Sequence, residues 1–323
     1  MKLKAVKCHG SKNDFVIIDE WTENPELTDE MREQLAVALS DRGGKIGSDG
    51  VLFILPGSET KARMRMLNSD GSEAEMCGNG LRCAARYILE QTGLQKSLVE
   101  TMKAPLATGV QEPVFEQIPT YEVAIKPVSF QPEEVPVAAE SELRLAAIPE
   151  IHPTARFTAL SVPNPHLVAL VDQFEDKEVE ACGKRANELK ELLPNGTNVS
   201  FVKELANGSI FVRTYERGVG LTNACGTAMS ASALVSCLDG GQQLGSKLTV
   251  YNPGGMVHVI PEKHGEAYEM RLIGNATYEW AGSITVEDGD FSGFQLNVDT
   301  AFPDETAAYE RMEKYARQKA GSL

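Results

Sequence analysis

The sequence predicts an α+β fold written twice along one chain. Two observations carry that expectation: short alternating apolar segments that follow one another closely, and a set of motifs that recurs at a nearly constant interval. A third ties the repeat to chemistry, because each half places a cysteine directly before a glycine at the mouth of a helical pattern.

The alternating segments are DFVIIDE (14–20), GVLFIL (50–55), ARMRML (62–67) and SLVETM (97–102). Apolar residues at every second position fit a half-buried strand, and strands this close in sequence are expected to pair antiparallel, in an α+β class rather than a doubly wound one. A helix is expected over TDEMREQLAVALSDR, opened by Thr28 as N-cap. A clearer one lies in LRCAARYILEQTG, where Leu81, Ala84, Ala85, Ile88 and Leu89 recur at helical spacing and Gly93 stops the run. Eight of the sixteen prolines fall between 105 and 153, a segment read as edge strands (with YEVAIKPVSF as one strand) and the crossover between halves. The last stretch, from Ala301, reads as an amphipathic terminal helix that packs Ala308, Met312 and Tyr315.

The repeat is visible residue by residue. GSKNDFVIIDE (10–20) parallels VPNPHLVALVD (162–172), IGSDGVLFIL parallels NGTNVSFVKE, and RMRMLNSDGSEAEMCGNG parallels IFVRTYERGVGLTNACGT. Asn13 and Asn164 are 151 positions apart, Gly47 and Gly196 149, Asn68 and Glu216 148, and Cys77 and Cys225 148. Four landmarks at a nearly constant spacing mark a duplicated domain. The boundaries fall at 1–128 for the first domain, joined by a late strand and tail over 277–323, and 129–276 for the second.

Composition bounds the partners. With 323 residues and 42% apolar content the chain can bury a core for one large or two medium domains. No run of eighteen apolar residues exists, and MKLKAVKCHGSKNDF lacks the apolar core of a signal peptide, so a cytoplasmic enzyme or binding protein is expected. A net charge of −15, from 31 basic and 46 acidic side chains, argues against nucleic-acid and anionic-membrane partners. The expected partner is a small molecule, and a homodimer is left open. The six cysteines (8, 77, 83, 182, 225, 237) form no CxxC, and no HExxH occurs, so neither a metal site nor a disulfide framework is expected. Cys8, Cys83, Cys182 and Cys237 are read as small buried apolar residues.

Cys77 and Cys225 are different. A cysteine at a helix N-terminus meets free backbone N–H groups and the positive end of the dipole, which should lower its pKa below about 8.5. The flanking glycines let a ligand approach, and the N–H groups of Gly78, Asn79, Gly226 and Thr227 can hold its carboxylate. Two such sites, one per repeat, would face each other across the cleft between the domains. One sulfur could then take a proton from a stereocentre while the other delivers one to the opposite face, which is racemisation or epimerisation without a cofactor. No pyridoxal-phosphate lysine site or dinucleotide fingerprint is present. Taken singly, Asn13, Asn68, Asn164 and Asn198 read as turn residues, His166 as a satisfied histidine and Glu216–Arg217 as a solvated pair.

GSKNDF, NSDGSEAEMCGNGLR, SVPNPHLV, GTNVSFV and ERGVGLTNACGTA resemble, in order and spacing, the motifs of the diaminopimelate epimerase family, from about residue 6 to about 283. The resemblance implies two pseudo-symmetric domains, each a mostly antiparallel curved sheet around a central helix, with a late strand returning to the first. It implies conversion of LL- to meso-2,6-diaminopimelate, in lysine and peptidoglycan synthesis, without cofactor. It casts Cys77 and Cys225 as acid/base pair and Asn13, Asn68, Asn164, Asn198, Glu216 and Arg217 as substrate contacts. Gly78–Asn79 and Gly226–Thr227 become donors to the reacting carboxylate, and His166 and Glu216 tune the cysteines. Two positions depart from the pattern: Leu221 stands where many members carry Glu, and Gly50 where many carry Gln. The competing readings are a related racemase of another amino acid, such as histidine, and a non-catalytic ligand-binding or redox-sensing protein. Arg217 and the asparagines suit the second amino-acid head of diaminopimelate.

Overall fold

The first two strands show how local sequence sets the architecture. Strand β1 (Lys2–Gly10) turns back into β2 (Asn13–Asp19) through Ser11 and Lys12, whose positive φ angles of 55° and 64° match the twist of a two-residue hairpin. Helix α1 (Asp29–Ser40) follows, with Met31 N donating to the Thr28 hydroxyl at 3.3 Å, so Thr28 is the N-cap the sequence predicts. The structure is a computed structural model that describes residues 1–74, 76–287 and 290–321.

Helix α1 buries Leu35, Ala36 and Leu39 and delivers the chain to β3 (Gly50–Pro56), which lies parallel to β2. Strand β4 (Ala62–Asn68) returns antiparallel, and α2 (Gly78–Thr92) crosses over to β5 (Lys96–Glu100), parallel to β4. The antiparallel strands β6 (Pro105–Gln111) and β7 (Thr120–Ile125) complete this run. Helix α2 is buried at every residue from Gly78 to Leu89 and ends at Gly93 in the left-handed conformation, φ 66°. It is the central helix of its unit, and it begins three residues earlier than the apolar pattern alone indicates.

The second half repeats the plan. After β8 (Ala146–Ala147) and β9 (Arg156–Ser161) come β10 (Pro165–Leu170), α3 (Asp176–Glu188) and β11 (Asn198–Leu205), with β10 and β11 parallel. Strands β12 (Ser209–Glu216) and β13 (Gly220–Thr222) precede α4 (Gly226–Leu238), which is buried through Ser236. Strand β14 (Leu248–Asn252) runs parallel to β12, and β15 (Gly255–His264) and β16 (Ala267–Asn275) follow antiparallel. The chain then forms β17 (Thr277–Glu287), paired with β1, β18 (Asp290–Ala301) and α5 (Pro303–Gly321). Thus β2–α1–β3–β4–α2–β5 and β10–α3–β11–β12–α4–β14 are the same motif twice. Gly47 and Gly196, matched in the sequence repeat, share a left-handed backbone at φ 74° and 67°.

The chain divides into two units, Met1–Val123 with Gly274–Arg311, and Ala124–Ile273 with Met312–Leu323. Each has its own core: Val16, Ile18, Leu35, Leu39 and Phe53 are fully buried in the first, Phe157, Leu167, Val179 and Phe201 to within 1% in the second. Burying each such side chain contributes about 1.5–3 kcal/mol.

Most pairings are antiparallel, but those that flank a crossover helix are parallel, because a helix between two strands returns the chain to the end it started from. This is the mostly antiparallel sheet that the sequence predicts, with the parallel pairs as its exceptions. In the terminal helix Ala308 and Met312 are buried, whereas Tyr315 is 36% exposed and meets the Tyr251 ring with centroids 6.4 Å apart. Cys237, expected in the core, is only half-buried, while Cys8, Cys83 and Cys182 are fully buried.

Candidate active site

In the first unit, three chain segments converge on one end of the sheet. Because β2 and β3 are parallel and β4 antiparallel, Asn13 at the start of β2, Asp49 just before β3 and Asn68 at the end of β4 lie at the same edge; Phe15 pairs with Gly50, and Gly50 with Asn68. Helix α2 starts at that edge with Cys77 as its N-cap, in extended conformation (φ −144°, ψ 103°). Its sulfur accepts from Gly80 N at 3.3 Å and lies 3.7 Å from Asn13 Oδ1, which also accepts from Asn79 Nδ2 at 3.4 Å. Asn13 Nδ2 donates to Asp49 Oδ2 at 2.7 Å, so the asparagine is held from both ends. Asp49 is in turn paired with Arg42, which also binds Asp14. The Asn68 amide donates to Ser72 Oγ at 3.0 Å in a turn closed by Gly71 (φ 86°). A Cβ at Gly50 would lie 2.5 Å from Leu67 O, so this backbone excludes a side chain there.

The second unit builds the same arrangement from different side chains. His166 on β10 pairs across to Asn198 on β11, and Glu216 ends β12. Asn198 Oδ1 accepts from Arg217 N at 2.9 Å, while Arg217 Nη1 donates to Asn195 O at 2.8 Å. His166, fully buried, contacts Asn164 Oδ1 through Nε2 at 3.0 Å, and its Nδ1 finds no partner among the described residues. Cys225 is the N-cap of α4, extended at φ −126° and ψ 115°, with its sulfur 3.4 Å from Thr227 Oγ1. Leu221 packs beside Tyr215 against the core of this unit.

Electrostatics overturn one expectation. Burial pushes the Cys77 thiol up to about 11, against the lowering pull of the Gly80 and Asn79 N–H groups and of the Arg82 guanidinium. Cys225 is raised as well, by burial first and then by the Glu216 carboxylate, opposed by the Thr227 hydroxyl and Ala228 N–H. The helix N-terminus does stabilise each thiolate as expected, but desolvation of the charged form is larger. Glu216 therefore bears directly on Cys225. His166 carries no charge near neutrality, because burial and then the Arg217 guanidinium pull it down to about 3. Its contacts are with Asn164 and the Arg217 field rather than with a cysteine.

The structure thus gathers Asn13, Cys77 and Asn79 in one cluster, with Gly78 between the last two, and places Asn68 at the same sheet edge. It gathers Asn164, His166, Asn198 and Arg217 in another, and joins Glu216 to Cys225 and Thr227 beside Gly226. First-turn N–H groups, including those of Gly78, Gly226 and Thr227, have no acceptor within their helices and are free for an anion. Asp49 and Arg82 hold the first cluster and were missed in the sequence. Asp49 stands in the repeated GSD/GTN motif, which could have signalled it; Arg82 sits inside an apolar helical run, where charge reads as solvated. Among the described residues no cluster of three His, Cys, Asp or Glu side chains could hold a metal, and no helix is long and apolar enough to cross a membrane.

The βαββαβ unit written twice is a fold this chain shares with solved structures of low sequence identity. A hydroxyproline epimerase from Agrobacterium vitis superposes with a TM-score of 0.62 at 16% identity, covering 96% of this chain and 98% of that one. A phenazine-biosynthesis protein of the PhzF family from Bacillus anthracis gives 0.63 at 15%, covering 88% and 100%. At such identities the likeness is one of fold. The family profile for diaminopimelate epimerase matches residues 5–113 and 158–278. Proteins named diaminopimelate epimerase from Clostridium acetobutylicum and Listeria monocytogenes are 40% and 43% identical over 320 residues, covering 98% and 97% of this chain and 96% of each relative. The chain belongs to the diaminopimelate epimerase family, a family of isomerases.

Proposed function

We propose that this protein interconverts LL- and meso-2,6-diaminopimelate, with Cys77 and Cys225 as the two acid/base groups acting on opposite faces of one Cα. The observation that carries the reading is the matched pair of N-capping cysteines, each followed by a buried helix start with free N–H groups, in a chain that is 40% identical to a named epimerase over almost its whole length.

Chemistry assigns the parts. One sulfur, as thiolate, removes the Cα proton; the other, as thiol, donates its proton to the opposite face, so the reaction leaves the two sulfurs with exchanged protonation. The developing carbanion delocalises into the substrate carboxylate, where the first-turn N–H groups of Gly78, Asn79, Gly226 and Thr227 meet it. Donors fixed in a water-poor site stabilise such charge far better than water does. Asn13, Asn68, Asn164, Asn198, Glu216 and Arg217 orient the two amino-acid heads. Both thiols are high in the free protein, and the substrate ammonium supplies the positive charge that favours a thiolate beside it. Activity in lysine synthesis and residence in the cytoplasm belong to the same proposal; six free cysteines suit a reducing compartment.

The test is incubation of purified protein, without pyridoxal phosphate and with EDTA present, with LL-diaminopimelate in deuterium oxide. Conversion to the meso form with one Cα deuterium per inversion is expected. Racemisation of a monoamino acid such as histidine, with diaminopimelate untouched, would overturn the substrate assignment.

A further inference from the structure

We propose that Arg82 is the positioning residue of the Cys77 half-site: its buried guanidinium fixes Asn79 and Asn13 against the sulfur and supplies the positive charge beside which the Cys77 thiolate forms. This rests on the proposed role of Cys77 and assigns a task to a residue one turn into α2.

Arg82 is fully buried, and an arginine in that position ordinarily has a carboxylate partner. Among the described residues it makes no ion pair. Instead Nε donates to Asn275 O at 3.1 Å, and Nη2 to Ser11 Oγ at 3.1 Å and to Asn79 Oδ1 at 3.0 Å. Nη1 has no partner. Space for the group is made by Gly10, where a Cβ would stand 3.0 Å from Nη2 and 2.8 Å from Asn79 O. The hydrogen bonds continue from Asn79 to Asn13 at 3.4 Å, and Asn13 reaches the sulfur. A charge left without a counter-ion in a dry interior is costly, so an anion formed nearby is favoured.

The ionisable groups whose negative charge would offset Arg82 are Cys83, Cys77 and Tyr309. Cys83 shares its helix, Tyr309 belongs to α5, and His9 on β1 also feels the guanidinium but is held down to about 4 by burial and is neutral. Of these, Cys77 is half-buried, whereas Cys83, Tyr309 and His9 are buried. The matched position in the second unit, five residues after its cysteine, is Ser230, whose hydroxyl donates to Gly226 O at 3.0 Å. A guanidinium at this helical position is therefore confined to the first unit.

The experiment is alkylation by iodoacetamide across the neutral-to-alkaline range, with Cys77 and Cys225 followed separately by peptide mass spectrometry in wild type, Arg82→Gln and Arg82→Lys. No substrate is needed, so the result stands whichever amino acid is turned over. In the wild type Cys77 should titrate at lower pH than Cys225. Arg82→Gln should move the Cys77 profile up by about one unit or more, a roughly tenfold slower labelling at fixed pH, with Cys225 unmoved; Arg82→Lys should restore it. A Cys225 profile at or below that of Cys77 in the wild type overturns the proposal, even if no variant folds. So does a Gln profile that superimposes on the wild type, or one that shifts at both cysteines alike and is not rescued by lysine, the mark of a purely structural arginine.

Discussion

Asn13 places its side-chain oxygen 3.7 Å from the Cys77 sulfur while its amide is tied to Asp49 at 2.7 Å. Asp49 thereby decides which end of the asparagine faces the thiol. Asp49→Ala should free the amide to turn and lower kcat/KM about tenfold, the worth of one charge-assisted hydrogen bond. Steady-state kinetics with unchanged circular dichroism checks this; unaltered kinetics would mean that Asn13 is held by Asn79 alone.

Cys77→Ala and Cys225→Ala should each abolish epimerisation in both directions, since either change removes the proton donor or acceptor for one face. Cys83→Ala, in the fully buried core of α2, should keep turnover and cost on the order of 1 kcal/mol of stability. The half-buried Cys237 should cost less on the same change. Urea denaturation beside the deuterium-exchange assay separates the two kinds of loss.

If one Cα is handled by both sulfurs, they must come close during turnover. Mild oxidation of the substrate-free protein should then yield a Cys77–Cys225 disulfide, although the residues lie 148 positions apart, with loss of activity that dithiothreitol reverses and substrate prevents. Peptide mapping that instead links either residue to Cys83 or Cys237 would mean that the wrong pair has been assigned.

The buried histidines make stability fall in mild acid. Burial lowers His9 to about 4 and His166 to about 3, so between the ordinary value of 6.5 and those numbers the unfolded chain binds protons that the folded chain does not. Stability therefore rises with pH across this window and is lost as pH drops below about 6.5, by about 2 kcal/mol per histidine at pH 5. Urea midpoints at pH 7 and pH 5 should diverge in the wild type and diverge less in His166→Gln. Equal divergence would remove His166 from the account.

Much of this was legible before any coordinates. Motif spacing exposed the duplication because Asn13, Gly47, Asn68 and Cys77 are fixed by one local geometry that the second half rebuilds. The Thr28 cap and Gly93 stop were legible because capping is chemistry of single residues. The parallel pairs were not, because strand direction depends on helices α1 and α3 lying between strands that look adjacent when apolar runs alone are compared. The rise in cysteine pKa was hidden for a related reason: free N–H groups follow from sequence position, whereas desolvation depends on how the whole unit packs. Arg82 and Arg86 were passed over because α2 was read as one apolar stripe, and it is in fact buried on every side. There a charged residue must find partners inside the fold, as Arg86 does with Glu305.

A chain that carries one unit twice descends from a single unit, and at that stage both cysteines had identical neighbours. Identical sites cannot favour one holder of a shared proton over the other. The two copies have since diverged at matched places: Asn68 against Glu216 nine residues before the cysteine, and Arg82 against Ser230 five residues after it. Both changes act in the same sense: the Arg82 guanidinium pulls the Cys77 thiol down, and the Glu216 carboxylate pushes the Cys225 thiol up, on top of the burial that raises both. On the acid/base roles proposed for the two cysteines, this divergence makes once interchangeable groups unequal, so that the resting protein leans toward one direction of inversion before any substrate arrives.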